Sequence, residues 1–97
     1  MEIKKTAIAG TLESSDIQLT ISKADNGISI DLQSDVKKVF GDQIESVIKD
    51  TLAKLDVKDA KVKAVDKGAL DCVIKARTIA AIQRAAETTD TPEWEVL

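Results

Sequence analysis

Two short runs with the same rhythm constrain this chain most. In "DIQLTIS", Ile17, Leu19 and Ile21 alternate with Gln18, Thr20 and Ser22. In "ISIDLQ", Ile28, Ile30 and Leu32 alternate with Ser29, Asp31 and Gln33. Strict alternation puts the aliphatic side chains of a strand on one face and the polar ones on the other, so each run reads as a half-buried strand. "ADNG" separates them, and Asn26-Gly27 suits a turn that needs positive φ. The pair is therefore expected to form an antiparallel hairpin. "TAIAGTL" is a weaker strand, carrying Ala7, Ala9 and Leu12. A polar corner, "ESSD" from Glu13 to Asp16, would join it to the hairpin.

The rhythm then changes. Val36, Val39, Phe40, Ile44, Val47, Ile48, Leu52 and Leu55 recur at steps of three and four, which is one face of an amphipathic helix. Ser34 or Asp35 can cap its start, and Gly41-Asp42 allows a kink. Ala60, Val62 and Ala64 alternate with Lys61 and Lys63 as in a strand. Beyond Lys67-Gly68, Leu70, Cys72 and Ile74 again alternate, which favours a second hairpin followed by a helix from Ala76 to Ala86. The rival reading starts a helix at Ala69, but puts Arg77 on its apolar face. The expected architecture is α+β: an antiparallel sheet of about five strands, order β-β-β-α-β-β-α, with two helices on one face. Its 97 residues suggest one domain, 1–97, in which about 88–97, "TTDTPEWEVL", form a polar and mobile tail.

Composition removes several chemistries. The chain has no histidine or tyrosine, so proton transfer near neutral pH would fall to carboxylates and lysines. Cys72 is the only cysteine, which excludes an internal disulfide and a cysteine pair for zinc. It is expected to be a small buried hydrophobe rather than a nucleophile. Glu45 and Asp71 are read as solvated faces and not as an acid–base pair. "VDKGALD" lacks the full phosphate-loop pattern and reads as a turn. Fourteen Lys and Arg are interspersed among seventeen Asp and Glu, with no basic patch for nucleic acid. No apolar run approaches the roughly 20 residues that span a bilayer, and "MEIKKTAIAG" lacks the apolar region of a secretory signal. The expectations are accordingly no catalytic residues, no metal, no nucleic acid, no membrane, and a cytoplasmic location. Trp94 either anchors a partner or folds back onto the helices.

The corner is the remaining feature. Ser14 and Ser15 on an exposed turn are ordinary turn residues. An exposed serine can also be esterified by another enzyme, and an attached cofactor then brings its own reactive group. Glu13 to Asp16 offer no apolar side chain to pin the corner, so the segment Leu12 to Asp16 is expected to be mobile beside a rigid sheet.

"AGTLESSD", with its flanks "MEIKKTAI" and "IQLTIS", resembles the acyl carrier (gamma) subunit family of bacterial citrate lyase. "VDKGALDCVIKAR" and, more loosely, "VKKVFGD" are further matches in the same order, so the resemblance covers nearly the whole chain. It implies that the serine directly after "GTLE", Ser14, carries a phosphoribosyl-dephospho-CoA arm through a phosphodiester. Position 15, often glycine in the family, is Ser15 here. The arm's thiol would be acetylated by an acetate ligase after a holo-protein synthase attaches the arm. An alpha (acyl transferase) subunit would exchange acetyl for citryl, and a beta (citryl lyase) subunit would release oxaloacetate and restore the acetyl form. The alternatives are the carrier subunit of malonate decarboxylase, with the same type of arm, and an unmodified interaction module.

Overall fold

A computed structural model describes residues 2–34 and 37–86. Four strands and two helices follow along it: β1 (Ala7–Ala9), β2 (Ile17–Ser22), β3 (Ile28–Ser34), α1 (Lys37–Lys54), β4 (Ala60–Asp66) and α2 (Asp71–Ala85). The class is α+β, as the periodicities require. The strands form one sheet in the order β1-β2-β4-β3. β1 and β2 are antiparallel, as are β2 and β4, whereas β3 and β4 are parallel.

This sheet corrects three expectations. It has four strands rather than five, it is mixed, and β2 and β3 do not pair with each other. β4 lies between them. Ile17 is opposite Asp66 and Ser22 opposite Lys61 on one side of β4, while Ile28 is in register with Ala60 on the other. The Asn26-Gly27 turn is present, with Gly27 at φ 79°. It is fastened, however, to the start of β4 rather than closing a hairpin. The Gly27 N–H donates to Asp59 Oδ1 at 2.7 Å, and the Ala60 N–H donates to the Gly27 carbonyl at 3.0 Å. β3 therefore sets out beside β4, and α1 provides the long crossover that a parallel pair needs.

A further difference lies at residues 69–75. From Asp71 the segment is helix, not strand. Leu70 and Cys72 are exposed, while Ile74, Thr78, Ile79, Ile82 and Ala85 are buried at three- and four-residue spacing. The alternation of Leu70, Cys72 and Ile74 thus carries no burial pattern with it.

Both helices cover the aliphatic face of the sheet. Ile17, Leu19 and Ile21 of β2 and Ala60, Val62 and Ala64 of β4 are fully buried in one core with Ile44, Ile48 and Leu52 of α1 and Ile74, Ile79 and Ile82 of α2. Lys61 and Lys63 face outward. Helix α1 runs unbroken through Gly41-Asp42. Asp35 and Val36, expected at its start, lie outside the described residues. The helix ends without a glycine: Asp56 adopts the left-handed φ of 56°, its N–H donates to the Ala53 carbonyl, and the Val57 N–H reaches back to that of Leu52. Buried Val57 then joins the same core as Leu52, the apolar contact typical of this ending. β1 ends at Ala9, so Leu12, read as part of that weaker strand, lies beyond it and is exposed.

Ile48→Ala should cost about 3 kcal/mol, because it removes a fully buried branched side chain from the centre of the helix–sheet interface. Leu70→Ala, at a position 70% exposed, should stay within about 0.5 kcal/mol of the parent. Urea unfolding followed by circular dichroism measures both.

Candidate functional site

Between β1 and β2 the chain makes its corner, and glycine geometry starts it. Gly10 has φ 91°, and a Cβ there would run into the Ile17 carbonyl oxygen, so the two ends of the corner approach as only glycine permits. The Asp16 N–H donates to the Glu13 carbonyl at 3.2 Å and closes a four-residue turn. Ser14 and Ser15 are its two central residues. Ser15 holds φ 65°, the left-handed value that the third turn position demands. The Ser15 N–H donates to the Lys67 carbonyl at 2.8 Å, and the Lys67 N–H donates to the Asp16 carbonyl at 2.9 Å. These bonds extend the β2–β4 ladder past its last strand pair. Ser14 remains at the tip, exposed, and its hydroxyl has no hydrogen-bond partner among the described residues.

The corner has no apolar side chain to pin it, as expected, but it is fastened by polar contacts that the sequence patterns do not signal. Asp16 is buried rather than solvated. Its carboxylate accepts four hydrogen bonds: from the Thr11 hydroxyl at 2.7 Å, from the Ile17 N–H at 2.7 Å, and from Arg77 Nε and Nη2 at 3.0 and 2.9 Å. Thr11 Oγ1 in turn accepts the Glu13 N–H at 3.2 Å. The Arg77 fork grips both carboxylate oxygens, a geometry that lysine cannot supply. Hydrogen bonds from Arg77 and then Thr11 lower the Asp16 pKa from 3.8 to about 2, against the opposing effect of burial. Arg77 is also the residue whose charge argues against an early start of α2. It sits half-buried on that helix because Asp16, 61 positions earlier, receives it. Neither residue signals the other in the sequence. An arginine on an otherwise apolar helix face is the one available clue.

The other candidates fall as follows. Cys72 is exposed in the first turn of α2, which corrects its expected burial: the helix turns it away from the side that carries Ile74 and Thr78 inward. Asp71 is exposed and accepts from Gln43 Nε2 at 3.1 and 3.3 Å, while Glu45 is half-buried on α1. "VDKGALD" is a turn, with Gly68 at φ 90°. Its buried Asp66, which no local pattern singles out, accepts the Ala69 N–H at 3.0 Å and the Ser34 hydroxyl at 2.8 Å. That ties the end of β3 to the entry of α2. Among the described residues no three His, Cys, Asp or Glu side chains are placed to hold a metal ion, and no helix is long and apolar enough to cross a membrane. Trp94 and the tail lie outside the described residues.

Comparison with known proteins fits this arrangement to a family. The acyl carrier family model described as the malonate decarboxylase delta subunit (MdcD) matches residues 4–85. The citrate lyase acyl carrier protein of Lactobacillus helveticus is 70% identical over the full length of both chains. Those of Lactobacillus acidophilus and Oenococcus oeni are 67% and 68% identical, again over both full lengths. The chain belongs to the citrate lyase acyl carrier protein family. It is a carrier and not an enzyme by itself. In fold, 90% of the chain superposes on 36% of a homoserine kinase from Cytophaga hutchinsonii with a TM-score of 0.56, at 12% identity. That likeness concerns architecture alone.

Because the Asp16 pKa is depressed, its contribution to stability is complete above about pH 4 and is lost as pH falls towards 2. Arg77→Ala should cost about 2 kcal/mol at pH 7 by leaving a buried carboxylate short of two donors. It should also flatten the stability profile between pH 4 and 2, as read from thermal melts across that range. Ser15→Gly should match or exceed parental stability by up to about 1 kcal/mol, since glycine adopts φ 65° without a Cβ penalty.

Proposed function

We propose that Ser14 carries the prosthetic arm, and that the chain serves as the acyl carrier subunit of citrate lyase. The observation that carries this reading is the exposed, unpartnered hydroxyl of Ser14 at the tip of a corner whose neighbours are all fastened. A modifying enzyme needs an oxygen it can reach. Ser14 offers one on a turn held by the Ser15–Lys67 and Asp16–Arg77 contacts, so its position is defined without its side chain being engaged. Ser15 is a poorer candidate, because its backbone already serves the ladder and holds the strained φ.

The residues present fit such an arm, proposed to be phosphoribosyl-dephospho-CoA. The hydroxyl of Ser14 can form the phosphodiester, and the exposed sides of Glu13 and Ser15 leave room for it. When attached, the arm supplies a thiol that holds acetyl or citryl groups as thioesters. The chain's own part is mechanical. Ser14 is the tether, Asp16 and Arg77 anchor it, and the sheet and helices act as a rigid base. Tethering raises the effective concentration of the acyl group at each partner active site. The partners are proposed to be the alpha and beta subunits of citrate lyase, with a synthase and an acetate ligase acting beforehand. The names of the full-length relatives support citrate lyase over the malonate decarboxylase reading suggested by the family model's description.

Intact mass and peptide mapping of protein from a citrate-fermenting host test the attachment. Ser14→Ala should remain folded, within about 0.5 kcal/mol of the parent, and stay unmodified. Ser15→Ala and Ser15→Gly should each accept one arm on Ser14. A modified Ser14→Ala protein would sink the assignment.

A further inference from the structure

The Asp16–Arg77 contact uses only part of the guanidinium. Arginine has five N–H donors, and Asp16 takes one from Nε and one from Nη2. Among the described residues the remaining three have no partner, and the Arg77 side chain is 41% exposed. Arg77 also lines a surface furrow of about 410 Å³, together with Cys72, Val73, Ala76 and Ala80. Val73, Ala76 and Ala80 stand three and four residues apart, so they share one stripe of α2 with Arg77. The furrow has directed hydrogen-bond donors at one point and a wall of small, mainly apolar side chains along its length.

The furrow is also close to the tether. Asp16 touches Arg77, and Ser14 is two residues from Asp16, at most about 7 Å of extended chain. We propose that this furrow is the resting site of the arm carried on Ser14. The free edge of Arg77 receives a phosphate of the arm, and the stripe Val73, Ala76 and Ala80 receives the aliphatic part of its pantetheine chain. This rests on the attachment of the arm at Ser14.

The chemistry matches at both ends. A guanidinium edge suits a phosphate through two parallel N–H donors. Because Arg77 is already paired with Asp16, the attraction comes from aimed donors rather than from a net positive charge. It is correspondingly modest, as suits an arm that must leave for partner active sites. Small side chains keep the furrow open, and a resting arm would cover apolar surface otherwise left to water. The neighbouring depression at the mouth between the helices, lined by Ile44, Asp66 and Leu70 among others, offers buried Asp66 instead of a cation. A carboxylate there is unfavourable to a phosphate.

Paramagnetic relaxation tests the proposal. In a Cys72→Ser chain the arm's thiol is the only thiol, because the sequence has a single cysteine. Holo-protein is prepared, and intact mass with peptide mapping verifies the arm. An arm missing from Ser14 at this step would refute the attachment itself, before any relaxation is measured. A nitroxide is then placed on the thiol, in the position of the acyl group, and amide broadening is measured by NMR. The expected result is broadening of Val73, Ala76 and Ala80 at least threefold stronger than that of Ile44 and Leu70, with little at Lys61 and Lys63. Ala76→Glu puts a charge in the furrow and should abolish that preference, leaving circular dichroism unchanged. Broadening centred on Ile44 and Leu70, or spread evenly around Leu12 and Ser15 without preference for α2, would overturn the proposal.

Discussion

The bidentate contact between Asp16 and Arg77 joins parts of this protein that its sequence keeps far apart. One partner closes the corner between the first two strands, and the other comes from the last helix, 61 residues later. A buried carboxylate is costly unless its lone pairs are filled, and here four donors fill them. The arginine stays partly in water, which limits its own desolvation penalty. The pair therefore fixes the corner relative to α2 while leaving the corner's tip free.

The same end of the sheet gathers further buried polar groups. Asp66 ends β4, binds the hydroxyl of Ser34 at the end of β3, and receives the N–H of Ala69 before α2. Thr78 is fully buried and donates to the Ile74 carbonyl at 2.7 Å. The interior is thus aliphatic through its centre and hydrogen-bonded at this rim. Aliphatic packing tolerates many arrangements of similar volume, whereas satisfied buried polar groups admit few. The rim is where position is specified, and the exposed serine stands on it. For a carrier this division is useful. The core supplies stability, and the rim gives the exposed Ser14, the proposed attachment point, a defined position.

Much of this is legible in the residues. Alternation sets β2, the strand character of β3 and β4, and the faces of β2 and β4. Steps of three and four set α1, and Ile44, Ile48 and Leu52 are buried as that period requires. The corner motif points to Ser14 through family resemblance, and its exposure agrees with a turn. What local patterns miss is pairing. Two alternating strands with Asn-Gly between them imply a hairpin when only local signals count, yet β4 inserts itself between them. Leu70, Cys72 and Ile74 imitate a strand over five residues, and a helical pattern that continues to Ala85 outweighs them.

The sequence by itself determined which residues avoid water and with what period, because those depend on side-chain chemistry and the geometry of a single helix or strand. It therefore determined the class, most of the elements and the polar corner. The tertiary structure alone decided the strand order, the parallel β3–β4 pair, the exposure of Cys72 and the meeting of Asp16 with Arg77. Each of these depends on contacts between distant segments, where Asp59 captures a turn or Asp16 captures an arginine. Such contacts form only once the fold has brought the distant segments together, and no local pattern encodes that condition.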